Sequence, residues 1–196
     1  SGLERGLLER PLSGAITVPF CPESQLSGVG NVDYMAAVWY KRRVALPEAW
    51  RGRQLLLHFG AVDYDATVWV NGVEVARHRG GFTPFTCPLG NLATGGDEIE
   101  ICLRARDGHL SPQPRGKQSQ KFANAACLYT RTTGIWQTVW IEPVAASYLQ
   151  RPRITPQVGL GRFLLEQGVI HGKPGQRVLA TLNASGQSLA TIAAKV

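Results

Sequence analysis

Two pairs of acids in this chain have a spacing that could do chemistry. Asp63 and Asp65 are two residues apart, and so are Glu98 and Glu100. On a strand, residues i and i+2 point to the same face, so either pair could set one carboxyl as acid or base beside a second. Local context turns both pairs toward structural work. Asp63 and Asp65 follow Gly60 and flank Tyr64, a setting for a turn or for local hydrogen bonds. Glu98 and Glu100 alternate with Ile99, Ile101, Leu103 and Ala105, which places the glutamates on the solvent face of a half-buried strand.

Other reactive groups form no constellation. Cys21, Cys87, Cys102 and Cys127 contain no CxxC pair, and His58, His78, His109 and His171 are equally dispersed. Zinc ligands come in close pairs, so no metal site is expected, and no cofactor. Cys102 lies inside a strand-like run and reads as a small packing residue; one disulfide is compatible with the count, but no spacing names its partners. No Ser, His and Asp order suggests a nucleophilic triad. Asn71-Gly72 and Gly80-Gly81 read as turn glycines, not as a phosphate cradle.

Charge and composition narrow the class. The 196 residues carry a formal net charge of +7. Residues 1–150 hold 15 Lys and Arg against 13 Asp and Glu, whereas residues 151–196 hold 6 against 1. The excess therefore sits in the tail, as scattered single residues, and no basic stripe for nucleic acid results. No apolar run reaches the roughly 18 residues that a membrane span needs. The opening SGLERGLLERPL lacks a basic region followed by an apolar core, so no signal peptide is read and a cytoplasmic location is expected. With 44% hydrophobic and 18% charged residues, a packed core is expected.

The elements that must position these groups are strands. Residues 38–47 (VWYKRRVALP) alternate and end at a proline. QLLLHF at 54–59 is short and apolar, as in a strand covered on both faces. ATVWV meets Asn71-Gly72 and then Val73-Glu74-Val75, the strongest short-range signal for a hairpin with a type I′ turn. TVWIE at 138–142 is a further strand, expected to stop at Pro143. Trp39, Trp69 and Trp140 lie inside these runs and read as core, and Trp50 as the cap of a turn. Short strands separated by Gly, Pro, Asn and Asp turns, without helical periodicity, predict an all-β sandwich. Residues 108–126 interrupt the pattern as a long, polar, basic loop. A boundary is expected near 144–152, giving domains at 1–146 and 151–196. In the second, 162–170, 177–184 and 188–192 read as strands, too few to bury much surface alone.

Three segments carry a family resemblance: VPFCPESQLSG (18–28), LLLHFGAVDYDATVWVNGVEVARHRGGFTPFTCPL (55–89) and YTRTTGIWQTVWIEP (129–143). In this order they resemble the N-terminal sugar-binding domain of glycoside hydrolase family 2, which includes β-galactosidases, β-glucuronidases and β-mannosidases. The resemblance covers residues 16–145 well and the tail more weakly. It implies a jelly-roll, galactose-binding-like β-sandwich, followed by the truncated start of an immunoglobulin-like β-sandwich. The catalytic (β/α)8 barrel, which in the family supplies both glutamates of a retaining mechanism, is then a missing C-terminal partner on the same polypeptide, and this piece is expected to be inactive alone. The start also looks shortened against family members.

The resemblance further implies that a loop before TTGIWQTVW lies against the barrel mouth and helps hold the sugar. Well-known members place an aspartate about five residues ahead of the motif glycine. Counting back from Gly134 passes Thr133, Thr132, Arg131, Thr130, Tyr129 and Leu128, none of them acidic. That departure shifts the expected substrate contacts to Arg131, Tyr129 and the basic loop with Arg115, Lys117 and Gln118, whose N–H donors suit anionic or polyhydroxylated ligands. Trp136, at the entry to a strand, is the tryptophan expected to be partly exposed and to offer a ring to the flat C–H face of a sugar. An autonomous carbohydrate-binding module and a structural domain that holds a homo-oligomer together are the competing readings.

Overall fold

The computed structural model describes residues 2–196. It parts into two compact units, Ser1–Pro143 and Val144–Val196.

The first unit is built from nine strands: β1 (Ala37–Ala45), β2 (Gln54–Phe59), β3 (Val62–Asp63), β4 (Asp65–Val70), β5 (Val73–Arg79), β6 (Phe85–Pro88), β7 (Glu98–Arg106), β8 (Gly134–Ile135) and β9 (Val139–Val144). An antiparallel sheet in the order β1-β7-β4-β5 faces a second in the order β6-β2-β9, while β3 pairs with β8. Period-2 alternation supplies the layer between them. Tyr40 from β1, Leu103 and Ala105 from β7 and Val68 from β4 meet Leu55, Leu57 and Phe59 from β2 and Cys87 from β6 in one buried cluster. Leu56, on the other face of β2, is buried as well, as its continuous apolar run predicts. Asn71 and Gly72 take φ of 50° and 79°, the left-handed pair that a type I′ turn needs between β4 and β5.

Two expectations change at the faces and edges. Of the tryptophans read as core, Trp69 is buried, Trp39 half-buried, and Trp140 44% exposed. None joins the inner cluster. In β4 it is Ala66, Val68 and Val70 that point inward, so Trp69 and Thr67 face outward. There Trp69 stacks on Trp39 at 5.6 Å, and the Arg104 guanidinium lies 5.8–5.9 Å from both rings. Residues 2–10 cover this face: Lys41 Nζ donates to the carbonyls of Leu8 (2.7 Å) and Arg10 (3.0 Å). Gly2 leaves no room for a Cβ, which would sit 2.6 Å from the Trp39 indole nitrogen. Secondly, β9 runs through Pro143 to Val144 instead of stopping before it. As the outermost strand of its sheet, β9 tolerates a residue without an N–H donor. All four cysteines are free.

The second unit holds β10 (Tyr148–Leu149), β11 (Arg153–Gln157), β12 (Arg162–Glu166), β13 (Val169–Ile170), β14 (Arg177–Ala184) and β15 (Gln187–Lys195). They pair as β10 with β13, β11 with β12 and β14 with β15. The run read as one strand over 162–170 is two, divided at Gln167-Gly168, and β11 is a strand that Pro156 hides from a sequence reading. Because β11 pairs on one side only, its proline breaks no second ladder.

Truncation tests this layering. Leu57→Ala should lower the unfolding free energy by about 3 kcal/mol, since Leu57 is fully buried. Leu179→Ala, on exposed β14, should change it by less than about 0.5 kcal/mol. Equal losses in urea denaturation would contradict the assignment of the core.

Candidate functional site

The chain changes sheets at Tyr64, and this separates the two aspartates that looked like a pair. Asp63 ends β3 opposite Gly134 of β8, while Asp65 opens β4 opposite Arg79 and Arg106. They are on different strands, so the i, i+2 rule does not apply to them. Asp63 is 2% exposed and fixes the floor of the loop above it. Its Oδ2 accepts from Gln118 Nε2 at 2.8 Å, and Gln118 Oε1 accepts the backbone N–H of Thr132 at 3.1 Å. One buried amide thus ties β3 to both arms of the 108–133 loop. A Cβ at Gly81 would lie 2.6 Å from Asp63 Oδ1, so the carboxylate occupies space that only glycine leaves open. Burial pushes the Asp63 carboxyl from its ordinary 3.8 up to about 6. The Gln118 hydrogen bond pulls it back, the Asp107 and Glu23 carboxylates add to the rise, and Arg115 opposes it.

The loop has almost no regular ladder, and its own side chains take over that work. Ser119 N–H donates to Tyr129 O (2.7 Å) and Tyr129 N–H to Lys117 O (3.0 Å). Arg131 is 5% exposed; its guanidinium donates to the carbonyls of Lys121 and Val32 and lies 4.0 Å over the Tyr34 ring. Arg115 donates to Asp107 Oδ1 (3.0 Å) and to the carbonyls of Gly108 and Ser111. Three of the expected substrate contacts, Arg115, Gln118 and Arg131, are therefore committed to the loop itself. The reason is physical: carbonyls without a strand partner need donors, and an arginine brings five. The TTGIW segment is held from beneath as well, with Thr133 N–H donating to Glu23 Oε2 and Ile135 N–H to Tyr40 Oη, both at 3.2 Å.

What faces outward is a small aromatic and cationic rim. Lys117 and Tyr129 are exposed, and the Lys117 N–H donates to Tyr129 Oη at 3.1 Å. Trp136 is half-buried, its Nε1–H donating to Gly81 O at 2.7 Å. Phe82 packs edge-on to Trp136, with ring centroids 6.0 Å apart. Gly116 lies between these groups: a Cβ there would be 2.7 Å from Tyr129 Oη and 3.7 Å from Phe82 Cζ. Sequence reasoning missed Phe82, although an aromatic directly after a glycine pair was a signal for it. The rim offers ring faces, a phenol and an ammonium. It offers no acid beside a nucleophile. Glu100, for its part, is held between Lys41 (3.4 Å) and Arg43 (3.5 Å) on the other sheet.

The sequence profile described as "Glycosyl hydrolases family 2, sugar binding domain" matches residues 11–110, half of the chain. The chain belongs to glycosyl hydrolase family 2. The matched stretch ends at residue 110, at the start of the 108–133 loop. Among the relatives of this family 2 chain, the β-glucuronidase of Paenibacillus borealis is 39% identical over 71 residues, 36% of this chain and 12% of that protein. The human β-glucuronidase is 39% identical over 66 residues, 32% of this chain and 10% of that one. Among solved structures, the Faecalibacterium prausnitzii β-glucuronidase superposes with a TM-score of 0.70 at 25% identity, covering 96% of this chain and 36% of that protein. The Ruminococcus gnavus β-glucuronidase gives 0.73 at 18% identity, over 99% and 34%. This chain spans about a third of the length of the solved relatives. These relatives are β-glucuronidases, and none of them supports the β-galactosidase side of the expectation.

The raised Asp63 carboxyl has a measurable consequence. A carboxyl whose value is higher folded than unfolded favours the native state fully below pH 4, and that contribution is lost as the pH rises through about 6. Asp63→Asn keeps an acceptor for Gln118 and has no proton to lose. The variant should equal the native chain in denaturation at pH 4 and be at least as stable at pH 7. A variant that loses more at pH 7 than at pH 4 would reverse the sign.

Proposed function

We propose that this family 2 domain is the scaffold and active-site rim of a β-glucuronidase, whose two catalytic glutamates reside on a barrel elsewhere in the polypeptide. The observation that carries this reading is the run of β-glucuronidase relatives, including one whose fold matches 96% of this chain at 25% identity. The geometry agrees with a positioning role. Lys117, Tyr129, Phe82 and Trp136 converge at one end of the sandwich on a loop anchored by buried hydrogen bonds. A glucuronide differs from a galactoside by its C6 carboxylate as well as by its C4 configuration, and an exposed lysine in the loop that carries Tyr129 is a charge that complements the carboxylate. The contribution is to binding and orientation, because retaining hydrolysis needs two carboxyl groups about 5 Å apart and the rim supplies none.

The test uses the whole polypeptide that carries this chain. It should hydrolyse p-nitrophenyl β-glucuronide in preference to the β-galactoside, and the 196-residue piece alone should turn over neither. Lys117→Ala should raise KM for the glucuronide about tenfold, roughly 1.4 kcal/mol of binding, with kcat little changed. Preference for the galactoside would sink the assignment, and an unchanged KM would remove Lys117 from the rim.

A further inference from the structure

Away from the rim, the outer face of the β6-β2-β9 sheet carries an oriented aromatic. Trp140 of β9 stacks on His58 of β2, with ring centroids 4.7 Å apart and planes 14° from parallel. His58 is clamped at both nitrogens. Its Nε2 meets Glu142 Oε2 at 3.1 Å, which makes it the donor to that carboxylate, and its Nδ1 pairs with the Thr86 hydroxyl at 2.9 Å. The imidazole therefore holds the indole in a fixed plane. β9 is the outermost strand of its sheet, with β2 as its one neighbour. Since His58 on β2 covers one face of the indole, the other face looks off the open edge, and Trp140 is 44% exposed. Glu142 stands two residues along the same strand and so projects from the same side, half-exposed. Scattered surface hydrophobics need no explanation; a ring braced by a polar clamp, with a carboxylate at its edge, is a more specific arrangement.

We propose that Trp140, His58 and Glu142 form a second carbohydrate site, a stacking platform for a neutral pyranose at the sheet edge. The physical match has two parts. The indole face carries negative quadrupolar charge and attracts the slightly positive C–H face of a pyranose. A carboxylate at the ring's edge accepts hydroxyl hydrogen bonds, the kind of placed polar group that fixes a ligand's orientation. Charge sets the class. Glu142 repels a uronate, so this platform selects neutral hexosides, opposite to the cationic rim at Lys117. It binds without chemistry and would hold a neutral residue of a longer glycan.

The experiment is 19F NMR of the full chain labelled with 5-fluorotryptophan, in which Trp140→Phe identifies the Trp140 resonance by its loss. Titration with methyl β-D-glucopyranoside and methyl β-D-galactopyranoside should move that resonance saturably, and methyl β-D-glucuronide should not. Glu142→Gln should weaken the neutral sugars and let the uronide bind. Trp140→Ala should lower the association constant, read by saturation-transfer difference on the sugar, by about tenfold or more. Lys117→Ala should leave it unchanged, which separates this site from the rim. Thermal melts of both position-140 variants should stay near that of the native chain, because the residue lies outside the core. A Trp140 resonance that does not move overturns the proposal, and so does an equal response to the uronide.

Discussion

The hydrogen bond from Gln118 to Asp63 is the contact on which the outward-facing end of this molecule depends. It joins a carboxylate at the end of a two-residue strand to an amide in a loop of irregular backbone, and both side chains are almost fully buried. The same amide accepts the N–H of Thr132, so neither arm of the loop can shift without breaking it. Lys117 and Tyr129 flank this link in the loop, and Gly81, which accepts the Trp136 indole N–H, packs against the carboxylate. Each hydrogen bond in this buried network fixes the position of the next group, which makes its geometry singular. Among the described residues, the buried oxygens Asp63 Oδ1 and Glu23 Oε1 have no protein partner, and the rise in the Asp63 carboxyl follows from that poor solvation.

The sandwich and the loop solve opposite problems. In the two sheets, backbone groups pair with one another and side chains need only alternate, so Val68 and Leu103 can meet across β4 and β7 with no polar partner. In the loop, backbone groups lack that ladder, and Arg115 and Arg131 act as internal staples. Two of the four cations of residues 108–133, Arg115 and Arg131, are therefore directed inward, and Lys117 and Lys121 stay exposed.

This division explains what could be read from the chain beforehand. The strands, the Asn71-Gly72 hairpin and the all-β class were legible because alternation and turn chemistry are local. The outward burial of Trp69 was not, because it depends on Trp39 of β1 stacking on it across the sheet, with residues 2–10 folded over β1, contacts between distant parts of the sequence. The passage of β9 through Pro143 depends on strand order, which period alone cannot supply. At the rim, Lys117, Tyr129 and Trp136 were expected from residue type and motif position, and the first two are exposed and the third half-buried. Arg115, Gln118 and Arg131 were expected for the same reason, but their donors are turned inward, since residue type says what a group can bond to and not which acceptor reaches it first. Phe82 escaped because its partners, Trp136 and Gly116, lie far along the chain.

Asp63 also shows how a perturbed carboxyl should be judged. Raised acids cluster at catalytic centres, and a carboxyl near 6 would suit a general acid. Catalysis further requires reach to a substrate proton and, for glycoside hydrolysis, a second carboxyl at the right distance. Asp63 is 2% exposed, sits under Gly81 and already holds Gln118. Asp65, its nearest candidate in sequence, belongs to another sheet. The same burial that raises the carboxyl removes it from any ligand, so the shift reports the cost of anchoring the loop.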